Sequence, residues 1–407
     1  MNGNSMGAGA GRTSLNDATG LTATTGVAVL GTGAIAKVHV DAYRQFGKRC
    51  AIRSLCDVYP EKARALASEK GLDGATCHAD YRQAIDSPEV DLVSICLPPS
   101  AHAETAIYAL EAGKHVLLEK PMAPSLEECD AILAAAARSG ARLSVVSQNR
   151  FQTTMFRLRH VLDSALAGRI LHAAVNSYWW RGQSYYDLWW RGTWEKEGGG
   201  CTLNHAVHHV DLLLWMMGMP QSVTAHFANL NHDNSETEDF STAVLSYRTG
   251  AIAQLTASLV HHGEEQEMIF QCEKARVSFP WKVSASAPLE NGFPYKDSAT
   301  EKLIQEAHDS QEPLPLEGHS GQIGNLLDAI QTGSPLLVDG AAGRNTLELI
   351  MGIYKAARSG SETIFPIQKD DPFYRSSTML PLLPRFHQKT RSTDNFATSD
   401  ISLGRKG

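Results

Sequence analysis

A charged pair at the end of an apolar run is the first candidate for chemistry in this chain of 407 residues. The run begins at His115 and ends on Glu119, Lys120 and Pro121. If it forms a strand of a parallel sheet, Lys120 lies at the carboxyl edge, where such sheets bind ligands. Burial can depress the pKa of a lysine so that its amine relays a proton, although a surface lysine after a strand is an equally good interpretation. Lys120 is therefore a candidate proton-handling residue.

A second candidate is His208, which lies in a segment with helical spacing. One stripe of this segment is apolar and should be buried, and it comprises Leu203, Val207, Val210 and Leu214. Asn204, His208 and Asp211 form the adjacent stripe, where their side chains could line a cleft. A histidine, with its usual pKa of about 6.5, can accept the proton of an alcohol while hydride leaves the same carbon. His208 is the predicted base, and the alternative is a core histidine with satisfied hydrogen bonds.

Two further histidines, His205 and His209, have the i, i+4 spacing of a metal-binding pair. Because no third ligand is evident, such a pair more often belongs to packing or to the surface. We therefore expect no metal site here.

Aromatic residues and arginines are dense between Tyr178 and Trp194. Aromatic rings pack against the C–H faces of sugar rings, and arginine binds hydroxyl or carboxylate groups. On this basis we assign Trp180 and Arg191 to a substrate pocket. An oligomer interface or strand packing would use the same residue types, so that alternative stays open.

A glycine turn near the start of the chain indicates the cofactor. It has the pattern G-x-G-x-x-A and contains the predicted cofactor-binding residues Gly31, Gly33, Ala34 and Ile35. Such glycines permit a tight turn and let backbone N–H groups approach a pyrophosphate at a helix N-terminus. Asp57 ends the next predicted strand, where a carboxylate can bind the adenine ribose diol and repel a 2′-phosphate. NAD is therefore expected, with NADP less likely, and Lys120 would lie near the nicotinamide. The alternative is an ordinary glycine turn beside a capping aspartate.

These candidates need a fold that brings them together, and residues 26–149 predict one. Short apolar runs alternate there with Ala-rich helical stretches, a pattern typical of a parallel sheet with helices on both faces. We predict an α/β fold that begins with an N-terminal Rossmann domain, a doubly wound parallel sheet that binds NAD. Residues 1–25 are rich in small residues and lack a signal-peptide pattern, so we expect a disordered tail.

The pattern changes after residue 149. Strand-like runs from Ile170 to Phe279 are separated mostly by short turns, which favours antiparallel pairing, and helical spacing returns at 318–330 and 344–357. We predict that residues 150–367 form a C-terminal α/β domain with an open, mostly antiparallel sheet. This domain should bind substrate and form a homodimer or homotetramer through its free face. Residues 368–407 lose periodicity and are expected to be a polar tail.

Composition limits the kinds of partner. The formal net charge is −7, which argues against a general nucleic-acid binder because duplex binding depends on lysine and arginine at phosphates. No run reaches the ~18 apolar residues of a membrane span. The seven cysteines form no CxxC pair, so neither a disulfide framework nor a structural zinc site is indicated. We expect a cytoplasmic protein with a small-molecule partner and no nucleic acid or membrane contact.

Several motifs taken together resemble those of the Gfo/Idh/MocA oxidoreductase family. They comprise the glycine turn, Leu97-Pro98-Pro99 followed by His102, the run 112–116, Glu119-Lys120-Pro121, and Gly198-Gly199-Gly200 followed by Asn204, His208 and Asp211. The resemblance covers residues 26–367. It implies a Rossmann domain, an open-sheet second domain, and a lysine and a histidine that handle the proton while hydride moves between substrate and nicotinamide.

The resemblance also implies roles for individual residues. Lys120 and His208 are the proton-handling pair, and Arg150 contacts substrate unless it forms a structural ion pair. The cofactor-binding set gains Leu97, Pro98, His102 and Glu119. Many family members carry aspartate at the position of Asn204, and asparagine cannot ionise. It can still hydrogen-bond to substrate hydroxyls, so we assign Asn204 to substrate binding.

The sequence therefore predicts an NAD-dependent dehydrogenase that reversibly oxidises a secondary alcohol of a cyclic polyol, sugar or glycoside. One alternative is a glycosidase that retains NAD and oxidises its sugar transiently. Another is a sugar-sensing regulator that keeps the fold without turnover, because fold does not fix function.

Overall fold

Two β-sheets organise the chain in the computed structural model, which describes residues 24–394 and 396. The strands of the first sheet are β1 Thr25–Leu30, β2 Cys50–Cys56, β3 Thr76–His78, β4 Leu92–Ile95, β5 His115–Leu118 and β6 Leu143–Val145. They are parallel and lie in the order β3-β2-β1-β4-β5-β6. This order reverses between β1 and β4, which is the switch point where doubly wound sheets bind ligands. The predicted Rossmann domain is confirmed.

Helices connect these parallel strands, because a parallel pair needs a crossover. They are α1 Ala34–Arg44, α2 Pro60–Lys70, α3 Tyr81–Ile85, α4 His102–Glu111 and α5 Leu126–Ser139. Pro60 begins α2 and Gly71 ends it in the left-handed conformation, as expected for these residue types.

The second sheet has nine strands. They are β7 Ile170–Tyr178, β8 Ser222–Ala228, β9 Phe240–Ser246, β10 Ile252–Ser258, β11 Gln266–Cys272, β12 Ala275–Phe279, β13 Lys282–Pro288, β14 Pro294–Lys296 and β15 Thr363–Ile364. Their order is β14-β13-β12-β11-β7-β10-β9-β8-β15. Only β7 and β10 pair in parallel among these described strands. The prediction of a mostly antiparallel sheet is confirmed.

Helices cover one face of this sheet and leave the other face exposed. Those that contact its strands are α6 Thr153–Asp163, α8 Cys201–Asn204, α9 Val207–Met217, α10 Ser298–Asp309 and α12 Gly340–Ser359. The other helices of this half are α7 Trp194–Glu197, α11 Gly318–Thr332 and α13 Ser376–Met379. Val244 of β9 and Ile252 of β10 are exposed on the open face. Assembly through this face stays a prediction. No helix among residues 24–394 is both long and apolar enough to cross a membrane.

Helix α11 returns to the first sheet, although the sequence places all of residues 150–367 in the second domain. Its Ile323, Leu326 and Leu327 belong to the apolar cluster that contains Val40 of α1 and Leu92 of β4. The side chain of Gln322 accepts from the Ser147 backbone N–H at 2.9 Å and donates to the Val145 carbonyl at 2.8 Å. The Rossmann core is therefore completed by a helix from late in the chain.

The segment after residue 367 is not a detached tail over its described part. Phe373, Tyr374, Met379 and Leu383 are buried in the main apolar cluster. The Asn234 side-chain oxygen accepts from the backbone N–H groups of residues 390 and 391. The predicted N-terminal tail lies outside the described residues up to position 23, and β1 already begins at Thr25.

Candidate active site

The glycine turn between β1 and α1 leaves room for a pyrophosphate. Gly31 has φ +84°, and a Cβ there would lie 2.5 Å from the Cys96 carbonyl oxygen, so a larger residue would clash. Gly33 is the N-cap of α1, and a Cβ on it would meet nothing within 4 Å. The N-terminus of α1, which starts with Ala34 and Ile35, is therefore open to an anion.

Asp57 is fixed just past the end of β2. Its Oδ2 accepts from the Thr32 backbone N–H at 3.0 Å and hydroxyl at 2.7 Å, and its Oδ1 accepts from the Tyr59 N–H at 3.0 Å. Burial alone would raise its pKa, but these hydrogen bonds and the charge of Lys62 lower it. The carboxylate is ionised and has lone pairs left for a ribose diol.

Lys120 follows β5, and the residue before it turns inward. Glu119 is 6% exposed, and its carboxylate bonds to His39 Nε2 at 2.9 Å and accepts from the Lys120 backbone N–H at 3.1 Å. Burial would raise the pKa of Glu119, but the hydrogen bond and charge of His39 and the charge of Lys120 lower it to about 2. Each carboxylate oxygen thus has a partner within the protein, and Glu119 holds the backbone of Lys120. The cofactor contact of Glu119 stays a prediction.

Lys120 and His208 line one cavity, which lies between the carboxyl edge of the first sheet and helices α9 and α12. Its lining also includes Pro121, Met122, Val146, Ser147, Thr346 and Leu347. Burial lowers the pKa of Lys120 and Arg191 lowers it further, against the opposing effect of Glu119 and Glu197. Burial and the charge of Lys120 hold the pKa of His208 well below its usual value. His208 is therefore a neutral imidazole at neutral pH and can accept a proton.

The helix that carries His208 is interrupted, which the sequence did not predict. Helix α8 ends at Asn204 and α9 begins at Val207, so Asn204 and His208 do not share one continuous stripe. The Asn204 amide nitrogen donates to the carbonyls of Gly199 at 2.7 Å and Gly200 at 3.3 Å. Both amide hydrogens are thus engaged, and only the side-chain oxygen of Asn204 is left to accept from a substrate hydroxyl.

Arg150 forms the structural ion pair that the sequence left as an alternative. Its guanidinium makes two bonds of 2.8 Å to the Asp211 carboxylate and a third, of 3.3 Å, to the Leu337 carbonyl. Arg150 is 6% exposed and Asp211 is 2% exposed. This geometry corrects the assignment of Arg150 to substrate and places the third polar residue of the predicted stripe, Asp211, in the core.

His102 lies between two loops at the carboxyl edge of the first sheet. Its ring nitrogens lie 2.8 Å from the Leu97 carbonyl and 2.9 Å from the Pro121 carbonyl. It therefore lies between the loop after β4, which carries Leu97 and Pro98, and the loop that carries Lys120, and its cofactor contact stays a prediction. Leu97 and Pro98 remain at the carboxyl edge of the sheet, where a cofactor contact stays a prediction.

The aromatic segment divides into a surface part and a buried part. Trp180 is 44% exposed and stacks on His262 with a centroid distance of 5.5 Å, so its assignment to the pocket stays a prediction. Arg191 lies 4.1 Å from the Tyr185 ring centroid and 4.2 Å from that of Trp190. The rings on either side hold the guanidinium in place.

Glu197 is a buried acid that the sequence analysis missed. Its carboxylate accepts from Arg191 Nη1 at 3.0 Å and from the Gly192 N–H at 2.6 Å. Burial raises its pKa to about 7, against the opposing effect of Arg191 and Gly192. The sequence feature that could have identified Glu197 as a site residue is its position directly before the glycine run that begins at Gly198.

One group among the described residues has the composition of a metal site. The potential ligand atoms of His39, Glu119 and His319 lie within 4.8 Å of one another. However, both ring nitrogens of His39 are engaged, one with Ser94 at 2.7 Å and one with Glu119. The hydrogen bonds already account for this arrangement without a metal ion.

Comparison with known proteins matches both halves of the chain. Residues 25–147 match the oxidoreductase family with an NAD-binding Rossmann fold, and residues 155–278 match the GFO/IDH/MocA C-terminal domain. The D-glucoside 3-dehydrogenase of Escherichia coli strain K12 is 25% identical over 82% of this chain and 96% of its own length. The inositol 2-dehydrogenase/D-chiro-inositol 3-dehydrogenase of Shouchella clausii is 26% identical over 87% and 98%.

Among solved structures, the WlbA dehydrogenase of Bordetella pertussis, in complex with NADH and UDP-GlcNAcA, is similar with a TM-score of 0.71. It is 29% identical, and the match covers 85% of this chain and all of that one, 100%. NAD is the cofactor that both the matched family and this neighbour indicate.

Proposed function

Because the chain belongs to the Gfo/Idh/MocA family of NAD-binding oxidoreductases, we propose that it reversibly oxidises a secondary alcohol of a cyclic polyol, sugar or glycoside. The observation that carries the proposal is the cavity that joins Lys120 to His208, both with lowered pKa values. The relatives named for D-glucoside and inositol oxidation support the substrate class.

Three polar side chains have proposed roles in this reaction. The neutral His208 accepts the hydroxyl proton, and the Lys120 amine hydrogen-bonds to the same oxygen as negative charge develops on it. The Asn204 side-chain oxygen accepts from a neighbouring hydroxyl and so orients the ring. Bound NAD would supply the hydride acceptor for this reaction, so that the alcohol carbon gives up a hydride and its hydroxyl oxygen gives up a proton.

The cofactor preference follows from Asp57. Its fixed carboxylate can accept from the two ribose hydroxyls of NAD, and it would repel the 2′-phosphate of NADP. The open N-terminus of α1 beside Gly33 supports placing the pyrophosphate there.

The open face of the second sheet supports assembly of copies of this chain as a homodimer or homotetramer. Exposed apolar residues on adjacent strands, Val244 and Ile252, would be covered in such an assembly. Light scattering of the full chain measures the mass, and a monomer at micromolar concentration would contradict this part of the proposal.

The proposed reaction is tested by NADH absorbance with a panel of inositols, aldoses, uronates and glycosides. We expect NAD-dependent NADH formation with one substrate class. Lys120→Met and His208→Asn should each lower kcat by about 10²- to 10⁴-fold, with the Kd for NAD unchanged.

Near wild-type kcat in both variants would contradict the assigned roles. Glycoside cleavage without net NADH would instead support the NAD-retaining glycosidase. Tight sugar binding without any turnover would support a sensor.

A further inference from the structure

A buried bond connects the helix that follows the glycine turn to the residue before Lys120. His39 lies on α1 and is fully buried, and its Nε2 is 2.9 Å from Glu119 Oε1. Its Nδ1 is 2.7 Å from the hydroxyl of Ser94 on β4, which is also fully buried. His39 thus links α1, β4 and the end of β5 at one point.

The backbone of Lys120 depends on this bond because the sheet no longer holds it. Strand β5 ends at Leu118, and the Glu119 N–H still donates to the Ile95 carbonyl at 3.0 Å. The next N–H, that of Lys120, donates to Glu119 Oε2 at 3.1 Å and to no other acceptor among residues 24–394. A group that fixes the Glu119 carboxylate therefore also fixes the backbone of Lys120.

His39 is a charged donor in this arrangement. Burial would lower its pKa, but its contacts with Cys96 and Glu119 raise it above the usual value. An ionised carboxylate has no hydrogen to give, so Nε2 carries the hydrogen of the bond to Glu119. An imidazolium donates from both ring nitrogens, and the Ser94 oxygen can accept from Nδ1.

His319, on α11, does not take this part. Its Nε2 lies 3.9 Å from Glu119 Oε1, which is too far for a hydrogen bond. Burial and the charge of His39 lower its pKa to about 4, so it is neutral at neutral pH. His39 is therefore the donor on which Oε1 of Glu119 depends.

A buried ion pair needs a reason other than stability. Apolar residues of similar volume often stabilise a core equally well or better, because two charges lose their hydration on burial. Here the pair lies directly before Lys120, the residue proposed to act on the alcohol oxygen. His39 itself belongs to the helix whose N-terminus is open to a pyrophosphate. The pair can thus hold the lysine and the cofactor helix at a fixed separation.

We propose that His39 is a positioning residue, which acts through Glu119 to hold Lys120 at a fixed place relative to helix α1. The alcohol oxygen must lie within reach of Lys120 while its carbon faces the nicotinamide. An error of about 1 Å in this separation would slow the reaction by about 10²-fold. The proposal rests on the proposed function, since it adds a residue to the same site.

Two substitutions at His39 separate its two bonds. The amide nitrogen of glutamine lies near the place of Nε2 and can still donate to Glu119. The amide nitrogen of asparagine lies near the place of Nδ1, so it reaches Ser94 and leaves Glu119 without its donor. We expect His39→Asn to lower kcat by about 10- to 100-fold and His39→Gln by less than about threefold.

Stability measurements separate positioning from a merely structural role. Each variant loses one buried hydrogen bond, so both should unfold at similar urea concentrations, below that of the wild type. His308→Asn is the control for destabilisation alone, because it removes a buried ring on α10 that stacks on Trp281 at a centroid distance of 3.8 Å. It should lower the urea midpoint and leave kcat unchanged. Equal losses of kcat in His39→Asn and His39→Gln, or no loss in either, would overturn the proposal.

A double-mutant cycle tests the route through Glu119. Glu119→Ala should lower kcat, and adding His39→Asn should lower it no further, because the residue on which His39 acts is already gone. Losses that multiply would show that His39 acts by another route and would overturn the proposal.

The donor is measured independently of turnover, from the ¹⁵N chemical shifts of histidine-labelled protein with NAD bound. The His39 signal is assigned by its absence in His39→Gln. A hydrogen on Nε2 is expected at neutral pH, and an Nε2 without hydrogen would overturn the proposal even in an active dehydrogenase. Absence of NADH in the wild type with every sugar would contradict the proposed function instead.

Discussion

Arg150→Ala should destabilise the protein strongly without acting on the sugar directly. The substitution removes two bonds of 2.8 Å and leaves the Asp211 carboxylate, 2% exposed, without its charged partner. Thr346 remains as a distant partner, its hydroxyl 3.4 Å from Asp211 Oδ1. Breaking a buried pair in this way costs about 3–5 kcal/mol of the free energy of unfolding. Urea unfolding followed by circular dichroism measures the loss.

Two comparisons make this prediction specific to the buried pair. Arg138 and Glu111 form an exposed pair at 2.7 Å, and Arg138→Ala should change the free energy of unfolding by less than about 1 kcal/mol. Replacing both buried partners, with Arg150→Met and Asp211→Leu, should recover most of the stability because no unpaired charge remains. If Arg150→Ala left the stability unchanged and raised KM for the sugar tenfold, the ion-pair interpretation would be refuted in favour of a substrate contact.

Three further predictions concern the cofactor turn and the buried acid. Asp57→Asn should weaken NAD binding by about tenfold or more, since it removes a charged acceptor, and should raise kcat/KM for NADP relative to NAD; steady-state kinetics with both cofactors checks this. Gly31→Ala should lower the free energy of unfolding by at least about 1 kcal/mol, because its φ of +84° and the Cys96 oxygen at 2.5 Å leave no place for a Cβ; thermal unfolding measures it. The Glu197 carboxyl has a raised pKa of about 7 when folded, so its contribution to stability is fully present below pH 4.5 and is lost as the pH rises through 7. Urea unfolding of wild type and Glu197→Gln at several pH values should show this difference, and parallel curves would contradict it.

Features that depend on neighbouring residues could be predicted from the sequence. The strand-like runs were predicted to begin at Ile170 and end at Phe279, and strand β7 begins at Ile170 and strand β12 ends at Phe279, because apolar alternation and flanking turns define them locally. Lys120 lines the cavity, and this location could be predicted because Lys120 comes directly after the end of strand β5. The parallel order of the first sheet makes that edge a binding site for any sequence of this pattern.

Features that depend on distant partners could not be predicted. The start of α8 is fixed by Glu238, whose carboxylate accepts from the backbone N–H groups of Gly200 and Thr202, both at 3.0 Å. Nothing within residues 201–214 indicates this partner, so a single helix was the natural expectation. The choice between substrate and ion pair for Arg150 likewise depended on where Asp211 would lie.

Helix α11 matters for the order in which the chain can fold during its synthesis. The Rossmann strands are translated first, but the apolar surface of Val40 and Leu92 is covered by Ile323, Leu326 and Leu327. Helix α11 ends at Thr332. Until that residue has left the ribosome, the apolar surface is exposed to solvent and can bind chaperones. The Rossmann domain is thus synthesised first, but its apolar core is completed only after α11 has been made. A fragment of residues 24–150, expressed alone, should therefore aggregate.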